Sequence, residues 1–280
     1  MNVVIFGLGL IGGSVAKDLR QRNFASKLIG VGRSEATNKV ALDLGLVDKI
    51  LPKDEAIKQA DLIILTVPVN ALVDELKYVL DNIEAHQVVT DMGSTKGIII
   101  DAIKNHPKRK RYVSSHPMAG TENSGPTAAI YNLFDNKVCI ICDKENSDAD
   151  AVQTVEALYQ CLKMNIKYMD AYQHDIHAAY VSHISHISSF VLAAAVLEKE
   201  VNEKAILEMA GGGFESTVRL AKSSPDMWAP IFMQNKENII EVMDTYINKM
   251  QHFRDLIKKD EYDELKAFMK DANQIKKILK

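Results

Sequence analysis

His116, Ser94 and a group of four further histidines are the side chains in this 280-residue chain whose types and settings suit proton transfer. His116 follows a candidate strand in Ser114-Ser115-His116-Pro117. A histidine near its ordinary pKa can take the proton from a hydroxyl while hydride leaves the same carbon, as alcohol oxidation requires. A His-Pro pair also serves as a plain turn. Ser94 sits in Asp91-Met92-Gly93-Ser94-Thr95-Lys96, where its hydroxyl could bond a substrate or cofactor, or cap a following helix. His174, His177, His183 and His186 fall near one face of a helix, a spacing that zinc also uses. The cluster brings no cysteine and only Asp175 as a carboxylate, so no metal is expected.

Gly7-Leu8-Gly9-Leu10-Ile11-Gly12 follows the first apolar run and precedes an amphipathic stretch. In that setting Gly-x-Gly-x-x-Gly points to dinucleotide binding. Gly7 permits the tight turn, Gly9 lets backbone approach the pyrophosphate, and Gly12 lets helix and strand pack closely. Leu10 and Ile11 lie just before a helix whose N-terminus offers amide donors. About 20 residues on, an acid would hold a free ribose 2′-hydroxyl; here the chain reads Gly32-Arg33-Ser34. Arginine and a hydroxyl suit a 2′-phosphate, which favours NADP over NAD, although an arginine stacked on adenine would accept both. Val67-Pro68 ends another apolar run and should form a wall beside the nicotinamide.

These residues need a sheet edge to bring them together. Candidate strands are 3–6, 27–31, 62–67, 88–90, 112–115, 138–142 and 166–168, with helical spacing at 14–22, 35–44, 71–80, 98–104 and 149–162. This alternation predicts parallel strands covered by helices, with ligands at the carboxyl edge. From 169 onward only helices are expected: 171–197, 202–210, 215–221, 228–251 and 261–278. The fold class is therefore α/β, a Rossmann-like dinucleotide-binding domain (1–168) followed by an all-α helical substrate and dimerisation domain (169–280). Residues 178–196 contain no Asp, Glu, Lys or Arg, so that helix needs cover on most sides, and a second copy would provide it. A homodimer is expected.

Composition narrows the function classes. The formal charge is −3, with 47% apolar and 25% charged residues, which offers no basic field for nucleic acid. No apolar run reaches the roughly 18 residues of a bilayer span, and the chain is expected to be cytoplasmic with no membrane partner. Cys139 and Cys142 lie within an apolar run and read as buried strand residues, not as a redox or metal pair.

Residues 7–14, Asp91–Lys96, His116–Glu122, Ser182–His186 and Gly211–Arg219, in this order, together resemble the prephenate/arogenate dehydrogenase family across nearly the whole chain. The resemblance implies hydride transfer from ring C4 of prephenate to NAD(P), loss of CO2 from C1, and formation of 4-hydroxyphenylpyruvate for tyrosine biosynthesis. It implies a catalytic His116 on the ring hydroxyl, Ser94 orienting both, and Arg219 on a substrate carboxylate. Thr121, His183, His186, Gly212 and Trp228 would line or support the substrate pocket. No residue announces an acidic partner for the ammonium that distinguishes L-arogenate. With no regulatory segment expected beyond Lys280, tyrosine would have to inhibit at the active site. A 3-hydroxyacid dehydrogenase of similar fold would carry a lysine on the first long helix of the second domain, where none precedes Lys199. A sensor module would need the glycine loop but not His116, Ser94 and Arg219 together.

Overall fold

In the computed structural model, residues 1–202 and 206–278 are described. The described residues form one eight-stranded sheet in the order β3-β2-β1-β4-β5-β6-β7-β8. Its left half comprises β1 (Asn2–Phe6), β2 (Lys27–Val31), β3 (Lys49–Ile50) and β4 (Leu62–Leu65). The right half comprises β5 (Val88–Asp91), β6 (Tyr112–Pro117), β7 (Val138–Cys142) and β8 (Asn165–Met169). Buried faces on both sides explain the near-continuous Val/Ile runs: Val3, Ile5, Leu62 and Ile64 point to one apolar layer, and Val4, Phe6, Ile63 and Leu65 to the other. Cys139 and Cys142 are buried, and burial pushes both thiols up, Cys142 to about 12.

The covering helices are α1 (Leu10–Gln21), α2 (Glu35–Asp43), α3 (Lys53–Ile57), α4 (Val69–Asn82), α5 (Gly97–Ile103) and α6 (Ala149–Cys161). Two features depart from the expected parallel pattern. The β3–α3 excursion is too short to produce a periodic signal, and β7 runs antiparallel to β6, pairing His116 with Ile140. An apolar run carries no mark of its direction, so sequence could not reveal the reversal.

The first helical stretch after the sheet is α7 (Ala171–Ala178), a π-helical turn (Ala179–His183) and α8 (Ile184–Asn202). It is followed by α9 (Gly212–Val218) and α10 (Pro225–Gln234). The single helix expected over 228–251 is in fact two, broken at Asn235, and α11 (Lys236–Lys258) begins after it. The helix expected over 202–210 lies partly outside the described residues. The chain divides into compact units at 1–235 and 236–280, whereas the last strand ends at Met169 and the helices begin at Ala171. The second unit contains α11 and α12 (Tyr262–Ala272), joined by a Phe253–Phe268 ring contact.

The stretch Ala171–Val201 corrects one expectation. By length and composition it is apolar enough to cross a membrane, because histidine, serine and tyrosine interrupt it without adding fixed charge. Val191, Leu197 and Val201 on α8 are exposed, so the described residues leave part of this helix uncovered.

Candidate active site

The carboxyl ends of β1, β4, β5 and β6 converge on one cavity of about 590 Å³. At its floor, Gly7 has φ +93°, and a Cβ there would meet the Thr66 carbonyl oxygen at 2.9 Å. Thr66 fastens the turn by donating from Oγ1 to the Phe6 carbonyl at 2.9 Å and the Gly7 carbonyl at 2.5 Å. Gly12 lies just behind, where a Cβ would fall 2.0 Å from the Gly7 oxygen; any side chain would force helix and strand apart. Gly9 begins α1 with no side-chain cap, and space opens beside its Cα. Uncapped first-turn amides beside an open backbone fit a pyrophosphate.

Gly7, Gly9, Leu10 and Ile11 line this cavity, and so do Val67, Pro68 and Ser94. His116, Thr121, His186, Arg219 and Trp228 form the remaining predicted part of its wall. Five predicted residues lie outside the wall, Gly12 behind the turn being one of them. Arg33 and Ser34 are exposed beyond the end of β2, where Ser34 Oγ caps α2 by accepting from Thr37 N. His183 is 1% exposed, and its ring lies edge-on to Trp228. Gly212 is exposed at the start of α9. Ser94 does not cap the next helix, since α5 starts after Lys96.

A buried network sets the two sheet ends that carry Ser94 and His116. Lys96 and Asp91 form an ion pair with both side chains fully buried, and Lys96 Nζ also donates to the Ser115 carbonyl at 2.6 Å. Asp91 accepts from Tyr112 OH at 2.6 Å, Ser115 N at 3.2 Å and Gly93 N at 2.8 Å. Burial, reinforced by His174, Lys96 and His183, holds the His116 imidazole well below its ordinary value. His116 is thus kept neutral, the form that accepts a proton.

The opposite wall is aromatic and cationic. His186 stacks on Trp228 with centroids 3.5 Å apart, and its Nδ1 donates to the Ser182 carbonyl at 3.1 Å. The Trp228 indole N–H is buried without a hydrogen-bond partner among the described residues; because buried donors are ordinarily paired, a ligand acceptor would satisfy it. Arg219 Nη1 meets Glu122 Oε2 at 3.2 Å, and both line the cavity. The loop bearing Thr121 and Glu122 is anchored further along to α1, where Ser14 Oγ accepts from Ile130 N and Asp18 from Asn132 N.

A family model for the prephenate dehydrogenase nucleotide-binding domain matches residues 15–168, and one for its dimerization domain matches 170–271. The chain belongs to the prephenate dehydrogenase family. It is 30% identical over 275 residues to the prephenate dehydrogenase of Bacillus subtilis, covering 96% of this chain and 74% of that one. A cyclohexadienyl dehydrogenase of Zymomonas mobilis is 28% identical, over 100% and 96% of the two chains. The crystal structure of prephenate dehydrogenase from A. aeolicus with hydroxyphenyl propionate and NAD+ superposes with a TM-score of 0.91. It is 30% identical and covers 100% of this chain and 98% of that one. The protein is a nicotinamide-dependent dehydrogenase built on the family's Rossmann-like and helical parts.

Sequence reasoning overlooked three residues that support this family site. In the sequence Asp175 and His174 suggest only metal ligation, yet His174 Nε2 lies 2.8 Å from His116 Nδ1. Asn235 ends α10 and donates from Nδ2 to the Asp175 carbonyl at 2.7 Å and to His183 Nδ1 at 3.2 Å. A signal for the first two was available in their adjacency on a helix already suspected of facing the pocket; Asn235 offered none.

Proposed function

We propose that the protein is a prephenate dehydrogenase that converts prephenate to 4-hydroxyphenylpyruvate. The observation carrying this reading is that His116, Ser94 and Arg219 share one cavity with the glycine turn. A nicotinamide dinucleotide bound at that turn supplies the hydride acceptor. Ser94 and His116 would hold the ring 4-hydroxyl, and His116 Nε2 would take its proton as C4 loses hydride. When the C1–carboxylate bond breaks, the electron pair runs through the ring to that oxygen, which recovers the proton from His116. The proton is borrowed and returned, CO2 leaves, and aromatisation makes the sequence downhill. Arg219 would fix a substrate carboxylate through its guanidinium fork, with the Trp228 indole N–H as a further donor.

NADP is the favoured cofactor. The end of β2 lacks the acid that a 2′-hydroxyl would use, and it presents an exposed Arg33 beside Ser34. The match to a dimerization domain and the exposed apolar residues of α8 support a homodimer in which a second chain, and not lipid, covers that helix. This reading places the enzyme in the cytoplasm. L-arogenate is the second reading, and one observation favours it: Glu122 puts a carboxylate in the cavity wall, where a substrate ammonium could meet it.

Purified protein assayed for nicotinamide reduction with prephenate and with L-arogenate, each with NAD and with NADP, tests both readings. Fastest turnover in the prephenate–NADP pairing is expected. Turnover only with arogenate would replace the substrate, and none in all four pairings would overturn the dehydrogenase reading itself.

A further inference from the structure

We infer that His174 and Asp175 form a buried positioning relay that sets which ring nitrogen of His116 faces the substrate; this rests on the dehydrogenase reading above. Asp175 Oδ1 accepts from Lys96 N at 2.8 Å and Oδ2 from Gly97 N at 2.8 Å. Oδ1 also lies 2.8 Å from His174 Nδ1. A carboxylate in this position can only accept, so His174 Nδ1 carries the proton. A neutral imidazole has a single N–H, which makes His174 Nε2 an acceptor. Its partner at 2.8 Å is His116 Nδ1, which must therefore donate. The neutral His116 ring is left with an unprotonated Nε2, which has no hydrogen-bond partner among the described residues and belongs to a side chain in the cavity wall. The chain of bonds thus fixes Nε2 as the proton acceptor, as an outer partner fixes the tautomer of a metal-binding histidine.

The relay also spans the elements. His116 lies next to last on β6, His174 and Asp175 lie on α7, and the two amides that Asp175 holds follow Ser94 by two and three residues. His174 is 0% and Asp175 6% exposed, so water does not compete for these bonds. One carboxylate therefore sets the orientation of the imidazole and the position of the loop that brings the serine to it. Without His174 the His116 ring has no preference between tautomers, and the Nε2–H form would present a donor where an acceptor is needed.

Three variants and one spectroscopic measurement test this. His174→Leu removes the acceptor, and kcat is expected to fall roughly 10–100-fold with KM and cofactor affinity unchanged. His174→Gln, whose amide can accept from His116 and donate to Asp175, should recover most of that loss. Asp175→Asn should resemble His174→Leu in kcat. Independently of any substrate, long-range proton–nitrogen NMR on the full chain labelled with ¹⁵N-histidine should show His116 as the Nδ1–H tautomer, with Nε2–H appearing in His174→Leu. An Nε2–H tautomer at His116 in the parent protein, or a His174→Leu variant within twofold of parent kcat, would overturn the relay. Should His174→Leu fail to fold, the parent tautomer and His174→Gln decide the matter. If the parent turns over none of the four substrate pairings, the dehydrogenase reading falls while the NMR result still judges the relay.

Discussion

Replacing Lys96 with Met would test how the sheet edge is held. The Lys96–Asp91 pair has no exposed side-chain surface, so removing the ammonium leaves a carboxylate out of contact with solvent. Loss of one partner from a buried pair costs about 3–5 kcal/mol. Asp91 would keep Tyr112 OH, Ser115 N and Gly93 N as donors, which places the cost near the lower end. The Ser115 carbonyl would also lose its donor, adding about 1 kcal/mol. The sum is about 4 kcal/mol. For a unit of 235 residues, at about 2–4 °C per kcal/mol, the thermal midpoint should fall by roughly 8–16 °C. Adding Asp91→Asn should restore part of the loss, because no uncompensated charge then remains. Differential scanning calorimetry on the single and double variants is the assay. A single variant melting within about 2 °C of the parent would show that the backbone and tyrosine donors satisfy Asp91 unaided, and the reasoning would be refuted.

Arg219→Gln should raise KM for the substrate by about 10–100-fold, equivalent to the ~1.5–3 kcal/mol of charge-assisted hydrogen bonds, without changing cofactor affinity; an unchanged KM would remove Arg219 from substrate binding. Arg33→Ala should weaken NADP far more than NAD in a fluorescence titration, and equal losses would favour adenine stacking over phosphate binding. Burial pushes His183 down to about 4, so the unfolded chain takes up its proton near pH 6.5 while the folded one does not. Stability should accordingly be full above about pH 6.5 and decline by up to about 3 kcal/mol toward pH 4. A His183→Asn variant should lack that part of the decline in urea midpoints measured against pH, and an identical slope would contradict the assignment.

The parts of this molecule that follow a period or a steric demand could be read in advance. Gly7 and Gly12 announce the turn because no other residue fits against the Thr66 and Gly7 carbonyls. His116 could be placed because it follows a candidate strand. The unbalanced helix over 178–196 announced its need for cover, since a missing charged face is visible in composition alone. Long-range pairings left no such trace. In the sequence Asp175 and His174 suggest only metal ligation, because their partners are 78 and 58 residues away. The antiparallel β7 and the π-helical turn at Ala179–His183 are decisions of the tertiary structure. Asn235 breaks a helix that propensity would continue, and its side chain turns inward to His183.

The two ion pairs at this site would respond differently to salt. Arg219 and Glu122 have side chains 53% and 31% exposed, in reach of counterions that screen charge over about 8 Å at physiological ionic strength. Lys96 and Asp91 are sealed from those ions. A change in the surrounding electrolyte would therefore act on Arg219 and Glu122 in the cavity wall, and with them on the proposed capture of a substrate carboxylate, while the buried network behind Ser94 and His116 keeps its geometry. On the proposed roles of Arg219 and His116, substrate affinity would be tunable by the medium and the chemical step insulated from it.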